Sequence, residues 1–214
     1  ARAGWSSHES LFYRYIFLEA TIEAYLATRS PRDQPVKYLD IGCNDAYSIN
    51  KIVKRFRSIT EALGIEKNIH SFNNIDQSDL TSINNNLQKI NFENIDFMDF
   101  KCKEKYWNLI SLIGLLQIKD LNPLDLLCKI EKILAPQGRV ILTTLNLDWQ
   151  GFDDCTRNKP SVEQRWWSVK ELNSACNSAN LRITSHFTTS IRQQKCYLYE
   201  TGGYIHLCTL ERFD

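Results

Sequence analysis

The 214-residue sequence predicts an α/β three-layer sandwich. Its sheet is mostly parallel and seven-stranded, with the last strand antiparallel and helices on both faces, and an N-terminal helical cap precedes it. Three observations carry that expectation. Short apolar runs alternate with segments whose apolar residues recur every three or four positions, the pattern of strands alternating with helices. The run VKYLDIG at 36–42 stops at a glycine and is followed by a helical pattern, as at the opening of a βαβ unit. Two strand-like segments close the sequence with no helix between them, so one of them must run antiparallel.

The elements follow in order. Ser6 to Thr28 is an amphipathic helix, single or broken in two, with Leu11, Tyr15, Leu18 and Tyr25 on its apolar side and Ser6 or Ser7 as its cap. The linker SPRDQP at 30–35 separates it from strand one. Residues 1–35 are therefore read as a cap or lid with its linker, and 36–214 as one domain. Ile49, Ile52, Val53, Phe56, Ile59 and Leu63 predict a helix from Ser48 to about Leu63. Strand two is expected at about Ile69 to Ile75, a helix at Leu80 to Leu87, and strand three near Phe92 to Phe97. Tyr106 to Leu112 reads as strand four. Leu121 to Leu134 reads as a helix with Pro123 in its first turn, and RVILTTL at 139–145 as strand five. The aperiodic 146–161 segment is a loop, WWSVKELNSACNSA is a helix, and the terminal strands span about Leu181 to Thr188 and Cys196 to Leu210.

Composition narrows the function. Lys plus Arg number 26 against 25 Asp plus Glu, a net charge of +1, which does not favour a long-range funnel for nucleic acid. A mean hydropathy of −0.36 with no apolar run of about twenty residues excludes a transmembrane helix. No leader pattern of basic, apolar and small residues is read at the start of the sequence. The 7 cysteines are odd in number, scattered and never spaced C-x-x-C, which argues against a disulfide framework or a thiolate zinc site. They suit a reducing, cytoplasmic or otherwise intracellular compartment, and nothing calls for a metal.

The most informative segment is Tyr38-Leu39-Asp40-Ile41-Gly42-Cys43-Asn44-Asp45-Ala46. In an open parallel sheet, ligands bind beyond the carboxyl ends of the strands. Gly42 permits a tight turn and close backbone approach, Asn44 tolerates a left-handed conformation, and Asp40 supplies an acceptor. This segment resembles the first motif of the class I S-adenosylmethionine-dependent methyltransferases, an acid followed by G-x-G-x-G. KIEKILAPQGRVILTT resembles that family's helix, Leu-x-Pro-Gly-Gly and strand five. YWNLISL resembles its strand four, with Asn108 in place of an acid. Arg165-Trp166-Trp167-Ser168 with Glu171 and Leu172 resembles its late Trp-Ser, Glu-Leu helix start. The similarity covers 37 to about 210, and Asn44 and Ala46 depart from it by replacing two glycines.

The resemblance implies S-adenosylmethionine as cofactor and S-adenosylhomocysteine as product. It places Asp40, Gly42, Cys43 and Asn44 around the methionine part of the cofactor. Asp76, after the expected second strand, matches the acid that binds the ribose hydroxyls, with a helix cap as its other reading. Asp96 with Phe97 matches the strand-three position near the adenine, Asp99 competing with Asp96. Ser111 is expected to belong to the cofactor side at strand four.

Methyl transfer requires alignment of a nucleophile, exclusion of water and, for some acceptors, a general base. His8, near the start of the first helix, is the candidate base, with a cap or surface role as the other reading; Trp5, Tyr13 and Tyr15 accompany it as acceptor contacts. Asp148 beside Trp149, in the loop after strand five, is the second catalytic candidate because a carboxylate against an indole suits an amine or cation. Arg165 and Trp166 are expected to frame the same pocket or to seat their helix. His70, His186 and His206 are expected to be structural.

The leading expectation is methylation of an oxygen or nitrogen on a small molecule. An RNA or protein acceptor is the second enzymatic reading, resting on basic KIVKRFR, whose other reading is a solvated helix face. A non-catalytic methyltransferase-like subunit is the third, resting on the two lost glycines. A nicotinamide enzyme is disfavoured because the turn lacks a phosphate-cradling glycine cluster.

Overall fold

A computed structural model describes residues 8–29, 35–73, 75, 88–149, 162–192, 195–199 and 204–213, with the side chains of 8–13 and 190–199 outside the description. Helix α1 (His8–Ala27) leads to β1 (Val36–Ile41), α2 (Tyr47–Arg55), β2 (Ile59–Ile65), the short α3 (Ile69–Phe72) and β3 (Lys89–Glu93). Then come β4 (Trp107–Ile113), α4 (Pro123–Ile133), β5 (Leu134–Leu145), α5 (Val169–Ser178), β6 (Leu181–Arg192), β7 (Lys195–Tyr199) and β8 (Ile205–Arg212). The strands form one eight-stranded sheet in the order β3-β2-β1-β4-β5-β8-β6-β7. The pairs from β3 through β5 are parallel. The last strand, β8, enters antiparallel between β5 and β6.

The sheet therefore has the expected mixed character, with one further edge strand. The segment read as a single terminal strand from Cys196 is two strands, β7 and β8. Gly202 and Gly203 lie between them in sequence, a turn signal that the run of aromatic and β-branched neighbours obscures. β7 pairs only with β6 among the described strands and extends the sheet outward.

A second correction moves the elements after β1. The helix expected to reach Leu63 ends at Arg55, where Phe56 adopts an extended conformation, and Ile59 to Ile65 is β2. Ile59 and Leu63 happen to continue the helical spacing. The deciding feature is burial: Ala62, Leu63, Gly64 and Ile65 are buried consecutively, as an interior parallel strand requires. Residues 69–72, expected in a strand, are α3, whose N-terminus Asn68 caps by accepting the His70 and Ser71 N–H groups. β3 accordingly ends before Asp96. The helix expected at 80–87 lies outside the described residues.

Two apolar layers clamp the sheet. Leu39, Ile110, Val140 and Leu142 face α4 and α5, where they meet Leu127, Ile130 and Leu172. Tyr38, Leu109 and Ile141 face α1 and α2, where they meet Leu18, Ile22, Ile49 and Ile52. α1 thus shares a core with α2, and the Arg55–Glu19 ion pair ties the two helices together at the surface. Asn122 caps α4 and Ser168 forms a capping box with Glu171 on α5, so each helix that covers the α4/α5 face has a fixed start. Among the described residues, no helix is long and apolar enough to cross a membrane, and no group of His, Cys, Asp or Glu is arranged to hold a metal.

At Gly64 a Cβ would stand 2.6 Å from the Phe92 ring and 2.8 Å from Cys43 Sγ. Gly64→Ala is expected to lower stability by about 1–3 kcal/mol through overpacking. The check is a urea titration, with a lower midpoint and an unchanged slope.

Candidate functional site at the carboxyl ends of the strands

β1 lies between β2 and β4, and its carboxyl end opens the turn that leads into α2. Gly42 has φ of +76°, and its N–H donates to the Ile65 carbonyl at 2.8 Å. A Cβ at Gly42 would sit 3.3 Å from Leu115, in the space between the turns after β1 and β4. Asn44 and Ala46 also take the left-handed conformation, with φ of +52° and +62°. The two positions where the family pattern has glycine thus keep a glycine-like backbone, at a steric cost of about 1–2 kcal/mol each. Cys43 is buried, and that burial pushes its thiol well above the usual range.

The residue immediately beyond β2 is Glu66, not Asp76, because β2 ends at Ile65. Glu66 Oε2 accepts the Asn44 N–H at 2.9 Å, and Oε1 accepts the Asn68 N–H at 2.7 Å. One carboxylate therefore joins the β1 turn to the start of α3. An ionised carboxylate offers about four acceptor positions, so two backbone donors leave capacity for a pair of neighbouring hydroxyls. Asp76 lies outside the described residues. Glu66 carried a readable signal: it follows the apolar run ALGI and is closer to Gly42 than Asp76 is.

Beyond β3, Asp96 Oδ2 accepts from Lys67 Nζ at 2.6 Å and Oδ1 accepts the Met98 N–H at 2.9 Å. The Lys67 hydrogen bond holds the Asp96 carboxyl below the usual range. The Phe97 side chain is buried in the core and stacks with Phe100 at 6.5 Å. Lys129 from α4 fixes this turn by donating to the carbonyls of Phe97, Met98 and Phe100.

Ser111 lies inside β4, fully buried, as the register partner of Asp40. Its hydroxyl donates to Asp40 Oδ1 at 2.6 Å and is 2.7 Å from the Tyr38 hydroxyl. Burial pushes the Asp40 carboxyl up to about 6; the Ser111 hydrogen bond opposes that rise and the nearby Glu66 charge adds to it.

α1 reaches the carboxyl edge of the sheet. Tyr15 packs edge-on against Tyr47 at 6.4 Å, and Lys51 Nζ lies 4.5 Å from the Tyr47 ring centre. Arg14 is buried, which lowers its guanidinium to about 10, and it lies close enough to Tyr204 for the two to interact electrostatically. Tyr204 is flanked edge-on by Trp149 at 5.0 Å and Trp166 at 5.4 Å. Trp149, Trp166 and Tyr15 thus belong to aromatic clusters at this end of the sheet. Arg14, Tyr47 and Tyr204 were missed because isolated residues on three elements carry no spacing signal. Trp5 lies outside the described residues; His8 and Tyr13 belong to α1, with side chains outside the description.

Asp148 and Arg165 have structural partners. Asp148 Oδ2 accepts the Val169 N–H at 2.9 Å, at the start of α5. The carboxylate thus sits at a helix N-terminus, a favourable place for a negative charge. Arg165 donates to the carbonyls of Leu121 and Lys119 at 2.8 Å, and so ties the segment before α5 to the loop after β4. His206 is fully buried, with Nε2 2.8 Å from the Trp167 carbonyl and Nδ1 2.9 Å from His186 Nε2. Since a carbonyl only accepts, His206 carries its proton on Nε2, and burial lowers its pKa to about 4. His70 is exposed on α3 rather than lying in a strand.

A family profile described as a methyltransferase domain matches residues 12–186. The chain belongs to the methyltransferase-domain family. This methyltransferase uses S-adenosylmethionine as its cofactor. A search of curated proteins finds no match. Solved structures share the fold at low identity. A Pyrococcus horikoshii OT3 protein has a TM-score of 0.65 at 14% identity, over 97% of this chain and 93% of its own. A putative Haloferax volcanii methyltransferase, solved in complex with a methyltransferase activator, has 0.64 at 16%, over 96% and 93%. The Burkholderia thailandensis 1,6-didemethyltoxoflavin-N1-methyltransferase, solved with 1,6-didemethyltoxoflavin and S-adenosylhomocysteine, has 0.64 at 14%, over 94% and 79%.

The residues of this methyltransferase fit a cofactor with a charged amino-acid end and a ribose. Gly42 leaves open the space that a Cβ would fill, and Glu66 retains acceptor capacity beyond its two backbone donors. The raised Asp40 pKa has a stability consequence. Between its unfolded value of 3.8 and about 6, the folded chain holds a proton that the unfolded chain releases. Stability therefore falls as pH rises through that window, by roughly 3 kcal/mol in all once Asp40 is ionised. Asp40→Asn is expected to raise the melting temperature at pH 7.5 distinctly more than at pH 5. Calorimetric melts at the two pH values check it.

Proposed function

We propose that this methyltransferase transfers a methyl group to an oxygen or nitrogen of a small-molecule acceptor. The acceptor lies at the carboxyl ends of β4 and β5, beneath the first turns of α1. The observation that carries the reading is the aromatic cluster of Tyr204, Trp149 and Trp166, with the buried Arg14 guanidinium beside it. Flat apolar walls with one buried charge suit a compact, partly planar molecule. The balanced net charge of +1 gives no comparable support to an RNA acceptor.

Bound S-adenosylmethionine supplies an electrophilic methyl on a sulfonium. The chain's own groups bind, orient and dry the site. Asp40, Gly42 and Asn44 hold the amino-acid end, Glu66 takes the ribose hydroxyls, and Asp96 lies toward the base. The aromatic residues exclude water and keep the acceptor atom in line with the methyl. Asp148, with its carboxylate on Val169, supports the start of α5 in this reading, which leaves His8 as the candidate base.

One observation favours a second reading, a methyltransferase-like subunit without turnover: Asn44 and Ala46 hold left-handed conformations that glycine adopts without strain. Calorimetric titration with S-adenosylhomocysteine, with NADH as control, separates the two. Micromolar or tighter binding is expected, weakened about tenfold or more by Glu66→Ala through loss of charge-assisted hydrogen bonds. Methyl release is then measured against pools of small molecules, RNA and peptides. Turnover on a small molecule supports the proposal. Turnover only on RNA or peptide overturns the acceptor class, and no binding by folded protein brings the subunit reading forward.

A further inference from the structure

A buried polar ladder crosses two central strands directly beneath the β1 turn. Asp40 and Tyr38 are two residues apart on β1 and so share a face of the sheet. Ser111 on β4 is the register partner of Asp40. All three side chains are 3% exposed or less. The hydroxyl proton of Ser111 goes to Asp40 Oδ1 at 2.6 Å, and an ionised carboxylate can only accept. Ser111 Oγ is then the acceptor for the Tyr38 hydroxyl proton at 2.7 Å. The ladder therefore has one direction, Tyr38 to Ser111 to Asp40, while Asp40 carries its charge. The surroundings oppose that charge. Glu66, beyond β2, is a second acid that weighs on Asp40, and burial disfavours ionisation. Cys43 follows Asp40 in the turn, and Tyr15 of α1 reaches Tyr38 from the helical layer, both without a cation to offer. Leu18, Ile22 and Ile49 complete the packing as apolar groups.

We propose that Ser111 and Tyr38 are positioning residues for the cofactor, acting through Asp40. Their aligned hydroxyls keep the buried carboxylate ionised and fix its plane, and so the direction in which Oδ2 accepts. This rests on the assignment of Asp40 to the amino-acid end of the cofactor. Chains of hydroxyls polarise one another in a low-dielectric interior, so removal of Tyr38 Oη weakens the Ser111 donation without touching Asp40. A protonated Asp40 would have to donate, which reverses or breaks the ladder and turns an acceptor for an ammonium group into a poor partner for it.

The test is the affinity for S-adenosylhomocysteine from pH 5 to 8.5, by calorimetry, for the full chain and its Ser111→Ala, Ser111→Thr, Tyr38→Phe and Asp40→Asn variants. The wild-type affinity is expected to fall below a midpoint near 6. The fall should approach tenfold per pH unit, as one linked proton requires. Ser111→Ala moves that midpoint upward, so that the variant is about tenfold weaker than wild type near pH 6.5 and within about twofold at pH 8.5. Tyr38→Phe moves it the same way by less, Ser111→Thr restores the wild-type profile, and Asp40→Asn flattens it. Equal weakening by Ser111→Ala at every pH would reduce the ladder to packing and overturn the proposal. If that variant fails to fold, Tyr38→Phe, which removes one buried oxygen, carries the same comparison. Wild-type binding that is flat with pH overturns the ladder and leaves cofactor use standing, whereas absence of wild-type binding at all pH values removes both.

Discussion

The parallel pairing of β1 with β2 on one edge and β4 on the other is the constraint on which the rest of the site depends. It brings three carboxyl ends together, so that turns far apart in sequence become neighbours. Gly42 donates to the Ile65 carbonyl, and the Asn44 amide reaches the carboxylate of Glu66. Without that register, Gly42, Glu66 and Leu115 would be three unrelated loop residues. The apolar layers on both faces make the register stringent, because a one-residue slip would exchange the α1/α2 face with the α4/α5 face.

The same arrangement creates a conflict. A carboxylate on an interior strand is an acceptor for its neighbours, yet it is desolvated there. Asp40 is the compromise: burial raises its pKa toward neutrality, and a serine hydroxyl from the neighbouring strand opposes the rise. Strain in the turn has a similar character. Asn44 and Ala46 hold conformations that glycine would adopt freely, and both positions lie beside residues that brace them. Asn44 is tied to Glu66, and Ala46 is buried at the N-terminus of α2.

The loops after β4 and β5 are held by longer-range staples. The Trp167 carbonyl accepts from the Leu147 N–H and pairs with His206 Nε2, while the Trp167 indole donates to the Leu116 carbonyl. Arg165 and Asp148 extend that bracing to the β4 loop and the start of α5. These polar residues hold the loops after β4 and β5 against the start of α5. The aromatic groups nearest this brace are Trp149, Trp166 and Tyr204, which meet edge to face.

How much of this was legible in the sequence follows from the range of each interaction. The alternation of strands and helices, the β1 turn with its glycine and the helix with Pro123 in its first turn are local, and the sequence alone determined them. The family resemblance rested on those same local motifs. Three decisions needed the tertiary structure. Whether Ile59 to Ile65 is the tail of a helix or an interior strand is settled by burial on both faces, which helical spacing of Ile59 and Leu63 cannot report. That shift made Glu66, not Asp76, the acid beyond β2. What Ser111 and Asp148 hydrogen-bond to lies far away in sequence, Asp40 in one case and Val169 in the other. Arg14 and Tyr204 meet only because α1 folds back across the sheet. Sequence by itself determined the alternation of strands and helices and the residues of the first turn, because both depend on neighbours a few residues away. Only the tertiary structure decided which carboxylates and aromatic rings share the site, because strand register and packing, not spacing along the chain, bring them together.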